Sequence, residues 1–309
     1  MKAVRVHSFG PPEVISVEDV PEPEPREGEV VVRVKAAGVG PWDAWIRSGK
    51  SVLPQPLPLT LGSDLSGVVH SIGPNVEGLQ IGDEVFGVTN ERFTGAYAEY
   101  AVAKAAMIAA KPKSLNHIHA ASVPVVAVTA WQMVFELAQL APGESVLVHG
   151  GAGNVGAYAV QLAKRAGAMV ITTASAKDLT YARGLGADGV IDYRARQFEE
   201  QVKDIDAVLD TVGGETLGRS YGVLKRGGIL VSAAARPSKE KTEQRGVRAL
   251  FFLVEVTTQR LRKIAELIDA GGLKTEVGEV LWLNEARQGH EMLEGAPHRR
   301  GKIVIKIAD

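Results

Sequence analysis

Among its 309 residues the chain has no cysteine. That absence excludes disulfides, thiolate zinc sites, iron–sulfur clusters and cysteine nucleophiles together. It fits a reducing compartment, and the cytoplasm is the expected location. A charge of one sign is missing as well: 35 Lys and Arg stand against 36 Asp and Glu, a formal net charge of −1. No long-range field therefore draws nucleic acid or an anionic membrane to the chain. Nor does any apolar run approach the roughly 20 residues that a membrane-spanning helix needs. The opening "MKAVRVHSFG" alternates like a strand and lacks the apolar core of a signal peptide. The expected partners are small molecules, with no nucleic acid and no membrane.

What is present is ordinary in bulk and organised in detail. A chain with 45% hydrophobic and 23% charged residues is typical of a globular protein, and 309 residues allow two domains with a core each. The first hundred residues read as short strands: "MKAVRV", "EVVVRVKAAGV", "LSGVVHSIG", "DEVFGVT" and "AYAEYAV", each bounded by Gly, Pro, Asn or Asp. "PEPEPREGE" (21–29) must be an extended connection, and "KPKSLNHIHA" (111–120) leads from the β-rich region into a helix. From about Val125 the rhythm changes. The apolar segments "SVLVHG", "MVITTA", "DGVIDY", "DAVLDTVG" and "GILVSAA" now alternate with helical patterns, which predicts βαβ units and a parallel sheet. The charged stretch "RPSKEKTEQRG" (236–246) reads as a mobile loop. A helix over "RLRKIAELIDAGGL" follows, and a last strand, "GKIVIKI", is expected to return to the first domain.

One turn carries chemistry. In "VLVHGGAGNVGAYAVQLAKRAG" (146–167), Gly151, Gly153 and Gly156 form a G-x-G-x-x-G between a buried strand and an amphipathic helix. Val155, Ala159, Leu162, Ala163 and Ala166 share one face of that helix. This is the setting of a dinucleotide fingerprint. The first glycine serves the tight turn, the second a close approach of backbone to pyrophosphate, and the third helix–strand packing. The helix N-terminus faces the anion. The fingerprint's ribose carboxylate, about 20 residues on, is missing. The second strand ends "ITTASAKD", where Ser175 and Lys177 can bond and neutralise a 2′-phosphate, so NADPH is expected over NADH. Lys177 also has a plain reading as a solvated residue at a helix start.

Several stretches in order now resemble one family. "GESVLVHGGAGNVGAYAVQLAK" (143–164) is close to the signature of the zinc-independent, zeta-crystallin-like quinone oxidoreductases of the medium-chain dehydrogenase/reductase superfamily. It departs where Gly151 and Asn154 replace a more usual small residue and glycine. "AAGVGPWDAWIRSG" resembles the segment ending D-x-x-x-R-x-G, "LGSDLSGVV" the one after it, and "VPVVAVTAW" the entry to the cofactor domain. "AVLDTVGG" and "GKIVIKI" resemble a nicotinamide-side strand end and the closing strand. The resemblance spans essentially the whole chain. It implies an α/β fold with a GroES-like, β-rich catalytic domain (1–124, completed by about 262–309) and a Rossmann-type, doubly wound NADP-binding domain (125–261). It also implies a homodimer or homotetramer.

The same resemblance bears on metal. Zinc-dependent relatives use Cys, His and a further Cys or acidic ligand, and their G-H-E-x-x-G motif here reads "GSDLSG" (62–67), with Ser63 in place of histidine. A three-ligand zinc site cannot be assembled there. His117 and His119 are the only close histidine pair and lack accompanying carboxylates. His149, at a strand end, reads as a packed neighbour of the glycine turn. No metal is expected.

Without a Lewis acid to polarise an alcohol oxygen, a conjugated acceptor is the easier partner. Hydride added to a quinone or an α,β-unsaturated carbonyl leaves charge that delocalises onto oxygen. By resemblance, Gly40, Asp43 and Trp45 line or support the substrate cleft, in a family that often has Asn at the first and Tyr at the last. These departures point to a wider, more apolar pocket, and Trp45 cannot relay a proton as a phenol does. Asp43 reads equally as a structural hydrogen-bond acceptor. The resemblance places Thr129 near the nicotinamide amide, with a helix-backbone role as the alternative. It places Tyr193 by the adenine or 2′-phosphate, and Asn154 and Val155 within the glycine turn. Phe251, Phe252 and Val254 match the segment passing the nicotinamide, or are core. Trp42, Trp131 and Trp282 read as packing residues. Two other activities stay open: a metal-free carbonyl reductase or alcohol dehydrogenase, and a non-catalytic NADPH-binding sensor or structural protein.

Overall fold

The computed structural model describes residues 1–308. The chain divides into two compact units. One is Met1–Val125 together with the C-terminal residues from Val256, and the other is Val126–Glu255.

The first unit is β-rich. Its main sheet runs Val277–Trp282, Lys302–Lys306, Glu29–Val39, Asp64–Ile72, Glu84–Val88, Ile108–Ala110, and Tyr100–Lys104 also pairs with Glu29–Val39. The strand Glu29–Val39 is buried at most positions, with Arg33 exposed, as expected of a central strand largely covered on both faces. A three-stranded sheet of Ile15–Asp19, Lys2–Val6 and Leu59–Thr60 lies in the same unit. Val4, Val30, Val32, Leu61, Leu65, Tyr97 and Ile305 pack into one core. The closing strand does return here: Ile303 pairs with Val39 and Lys306 with Ala36, antiparallel.

Between the strands sits one short helix that matters below, α1 (Pro41–Arg47). Proline at its first position suits a helix start, because its missing N–H has no partner there anyway.

The second unit is a six-stranded parallel sheet. Its strands are β1 (Ser145–His149), β2 (Met169–Ala174), β3 (Gly189–Asp192), β4 (Ile205–Asp210), β5 (Leu224–Ser232) and β6 (Arg248–Phe251). They lie side by side in the order β3-β2-β1-β4-β5-β6, the doubly wound arrangement in which ligands bind at the strand C-termini where the order reverses. The α/β class and its two kinds of sheet are those that the sequence leads one to expect.

Two expectations differ from the structure. The second unit closes at Glu255 instead of residue 261, because helix Thr258–Asp269 is anchored in the first unit. Thr258 Oγ1 donates to the carbonyls of Ala105 and Ile108, and the Asp269 carboxylate accepts from the backbone of Lys113 and Ser114. The charged stretch 236–246 is also no loop. Lys239–Arg245 is a helix, capped by Ser238 Oγ accepting from Lys241 N and stopped by Gly246 at φ 60°. The cap and stop residues outweigh the polar composition that suggested a loop.

Candidate active site

In the second unit the site begins where β1 meets helix α2 (Asn154–Arg165). The tight turn is made by Gly150, at φ 74°, and not by Gly151 as the motif spacing suggests. Gly151 is required for space instead: a Cβ there would lie 2.0 Å from Thr172 Oγ1. Gly156 fills its expected role, since a Cβ would meet the Gly150 carbonyl at 2.1 Å. Gly153 is exposed and is the N-cap of α2.

That N-terminus carries no side-chain cap and no acidic residue in its first turn. An α-helix leaves its first N–H groups without intrahelical partners and its N-terminal end positive. Asn154 and Val155, both half-buried, occupy the first two positions of α2. The donor set suits a phosphate. His149, at the end of β1, is fully buried between Thr173 Oγ1 (3.3 Å) and Ser220 Oγ (3.0 Å), with Phe198 edge-on at 4.6 Å. Burial pushes its pKa down to about 4, so it is a neutral packing residue.

At the end of β2 the geometry adds a residue that the spacing argument passed over. Ser175 Oγ donates to Asp178 Oδ2 at 2.6 Å, so its proton is committed and a carboxylate stands three residues on. Lys177 between them is exposed. Tyr193, following β3, is 54% exposed with the Arg194 guanidinium 5.7 Å from its ring centre. Thr129 is buried in helix Pro124–Trp131. Phe252 and Val254 are half-buried just past β6. The turn, the end of β2 and the end of β3 thus share the carboxyl edge of one sheet.

In the first unit the candidate residues gather at the start of α1. Asp43 is fully buried, and its Oδ2 accepts from Gly40 N (2.8 Å) and from the Tyr97 hydroxyl (3.0 Å). It closes the N-terminus of the helix. Burial pushes its pKa up to about 7, against the opposing hydrogen bond from Gly40 and the nearby Lys302 charge. Trp45 stands 52% exposed on the same helix.

Gly40 does not open a wider pocket. A Cβ there would lie 2.3–2.5 Å from three carbons of the Trp42 ring, so the indole takes the space that a side chain at 40 would occupy. Trp42 packs against the core of the first unit, as expected, and is bonded as well. Its Nε1 donates to Ser63 Oγ at 2.9 Å, and Lys302 Nζ lies 4.3 Å from its ring centre. Lys302 is 1% exposed and pairs with the fully buried Asp64 at 3.0 Å; the other Asp64 oxygen accepts from Val125 N. Ser63 is therefore engaged by an indole where the zinc motif has its histidine. Nothing in the sequence spacing signals this cluster, because residues 42, 63, 64 and 302 meet only in the folded sheet.

His117 bonds Ser66 Oγ and Glu84, and His119 bonds Asn116. Among the described residues no three or more His, Cys, Asp or Glu side chains are grouped to hold a metal ion. No helix of the described residues is long and apolar enough to cross a membrane.

Comparison with known proteins bears on both units. Residues 26–113 match the family model for the alcohol dehydrogenase GroES-like domain, and residues 185–305 match that for zinc-binding dehydrogenase. The chain is 30% identical to a quinone oxidoreductase of Mus musculus over 326 residues, covering 99% of this chain and 98% of that one. Among solved structures, the quinone oxidoreductase of Coxiella burnetii is 36% identical with a TM-score of 0.92, over 99% of both chains. The Escherichia coli quinone oxidoreductase, solved in complex with NADPH, is 28% identical with a TM-score of 0.89, over 99% of this chain and 100% of that one.

Proposed function

Because the chain belongs to the quinone oxidoreductase group of the medium-chain dehydrogenase/reductase superfamily, we propose that it is an NADPH-dependent reductase passing hydride to quinones or α,β-unsaturated carbonyls without zinc. The observation that carries this reading is the uncapped N-terminus of α2 behind the Gly150–Gly156 turn. NADPH, when bound, supplies the hydride.

The first-turn N–H groups of α2 hold the pyrophosphate, helped by the helix dipole. Lys177 provides the cation for the 2′-phosphate, while the Asp178 carboxylate behind Ser175 keeps the preference over NADH moderate. Thr129, Tyr193, Phe252 and Val254 complete the cofactor side. In the first unit, the turn from Gly40 to Trp45 meets the acceptor, and Asp43 holds that turn by its bond to Gly40 N. The indole on Ser63 and the lack of cysteine argue against a zinc ion there. The acceptor must then disperse the negative charge itself: a conjugated carbonyl or quinone delocalises it, whereas a saturated carbonyl leaves it as a localised alkoxide.

Loss of NADPH absorbance, and separately NADH, against a benzoquinone, a naphthoquinone, an alkenal, an alkenone and a saturated aldehyde tests this. Quinones or enones are expected to turn over with NADPH preferred, and turnover of the saturated aldehyde alone would sink the proposal. Lys177→Glu should lower the NADPH-to-NADH ratio of kcat/KM about tenfold or more, as loss of a charge-assisted phosphate contact does. An unchanged ratio removes Lys177 from the site.

A further inference from the structure

We propose that Trp42 sets acceptor specificity: its indole supplies the flat wall on which a planar conjugated acceptor stacks, in place of a side chain at Gly40. The inference rests on the reductase reading and assigns it a residue.

The ring is held from several directions by groups of the same unit. Its indole N–H is fixed on Ser63, which is fully buried. The ammonium of Lys302 sits over the ring, itself fixed on Asp64. Phe93 packs against it in an edge arrangement at 6.4 Å, with its own backbone at φ 60°. Carbons of the six-membered ring fill the space above Gly40. The backbone of Gly40 is extended, at φ −136°, so any residue could adopt it; only the indole demands glycine there.

Yet Trp42 remains half-buried instead of buried. An apolar ring that is positioned by a hydrogen bond and a cation, but left partly open, is preorganised for contact at its free surface. Trp45 lies three residues on, a neighbouring position on the helix surface, and is exposed. Trp42 itself offers π surface and no free donor, because its indole N–H is already used on Ser63. A planar ring is thus favoured over a small acyclic acceptor, whose recognition would need hydrogen bonds.

The test compares wild type, Trp42→Leu and Trp42→Phe in NADPH turnover of a naphthoquinone and an acyclic alkenone. Trp42→Leu is expected to lower the naphthoquinone-to-alkenone ratio of kcat/KM about tenfold, mainly through KM, as loss of an aromatic stacking contact does. Trp42→Phe should keep most of the ratio, and the dissociation constant of NADPH should not move in either variant. An unchanged ratio in Trp42→Leu overturns the inference, as does an equal loss on both acceptors.

A second arm is independent of activity. Gly40→Ala should destabilise the wild type in urea unfolding and do so far less in a Trp42→Ala background. Equal costs in the two backgrounds would show that the ring does not fill that space, and would also overturn the inference. If wild type reduces no acceptor at all, the reductase reading fails on its own. Naphthoquinone binding by calorimetry then decides this one: weaker binding in Trp42→Leu supports it, and equal or absent binding sinks it.

Discussion

Two corners of this molecule depend on a missing Cβ, and they depend on it differently. At Gly156 the obstacle is backbone, the Gly150 carbonyl 2.1 Å from where a Cβ would stand. At Gly40 the obstacle is a side chain, the Trp42 ring at 2.3 Å. Backbone cannot be trimmed, so the first corner tolerates one solution. A side chain can be trimmed, so the second corner is a pair of positions that trade volume. The first is the proposed phosphate cradle, shaped by main-chain atoms. The second builds a surface out of an aromatic residue and the ions that hold it.

The sharpest break in that comparison is Lys302→Met. It leaves Asp64 fully buried with its carboxylate unpaired, and removing one partner of a buried ion pair typically costs about 3–5 kcal/mol. Urea denaturation should show that loss, and Asp64→Asn in the same chain should recover most of it. A small effect of Lys302→Met would mean that the cluster is looser than its distances imply.

Next in size is Gly156→Ala. Overpacking against the Gly150 carbonyl should cost about 1–3 kcal/mol and weaken NADPH binding by roughly a hundredfold. Titration of NADPH by its fluorescence measures this. Unlike the Gly40 corner, no second side-chain truncation should restore it.

The last effect is graded by pH and is small only for each single pH unit. The folded chain holds a proton on Asp43 up to about pH 7, while an unfolded chain releases it near 3.8. Asp43's contribution is therefore full at low pH and lost as pH rises towards 7. Buried His149 and His290, lowered to about 4 and about 3 from 6.5, act in the opposite sense: their contributions are present above 6.5 and fall away in acid. Relative to Asp43→Asn, wild-type unfolding free energy should thus decline by about 1.4 kcal/mol per pH unit between pH 4 and 7. Parallel curves for the two proteins would show that Asp43 titrates normally.

How far each corner could be read from residues follows from the same difference. Gly151, Gly153 and Gly156 sit between an apolar strand and an amphipathic helix, all within one local segment, so spacing alone pointed to a phosphate-binding turn. That Gly150 takes the left-handed turn, and that Gly151 is needed for space against Thr172 on the neighbouring strand, shows only in the fold. Asp178 was in view in "ITTASAKD" but its bond to Ser175 was not, because a short turn after β2 brings them together. The helix at Lys239–Arg245 had its cap and its stop written in Ser238 and Gly246, and composition obscured them.

By itself the sequence determined the α/β class, the glycine turn, the absence of cysteine chemistry and the resemblance to its family, since all of these rest on local periodicity, spacing and composition. Only the tertiary structure decided what stands over Gly40. Trp42, Ser63, Asp64 and Lys302 are spread over most of the chain, and the pairing of Glu29–Val39 with both Asp64–Ile72 and the closing strand Lys302–Lys306 is what joins them. Contacts between residues that far apart carry no period to read, and their energetics appear only once burial has removed water from between them.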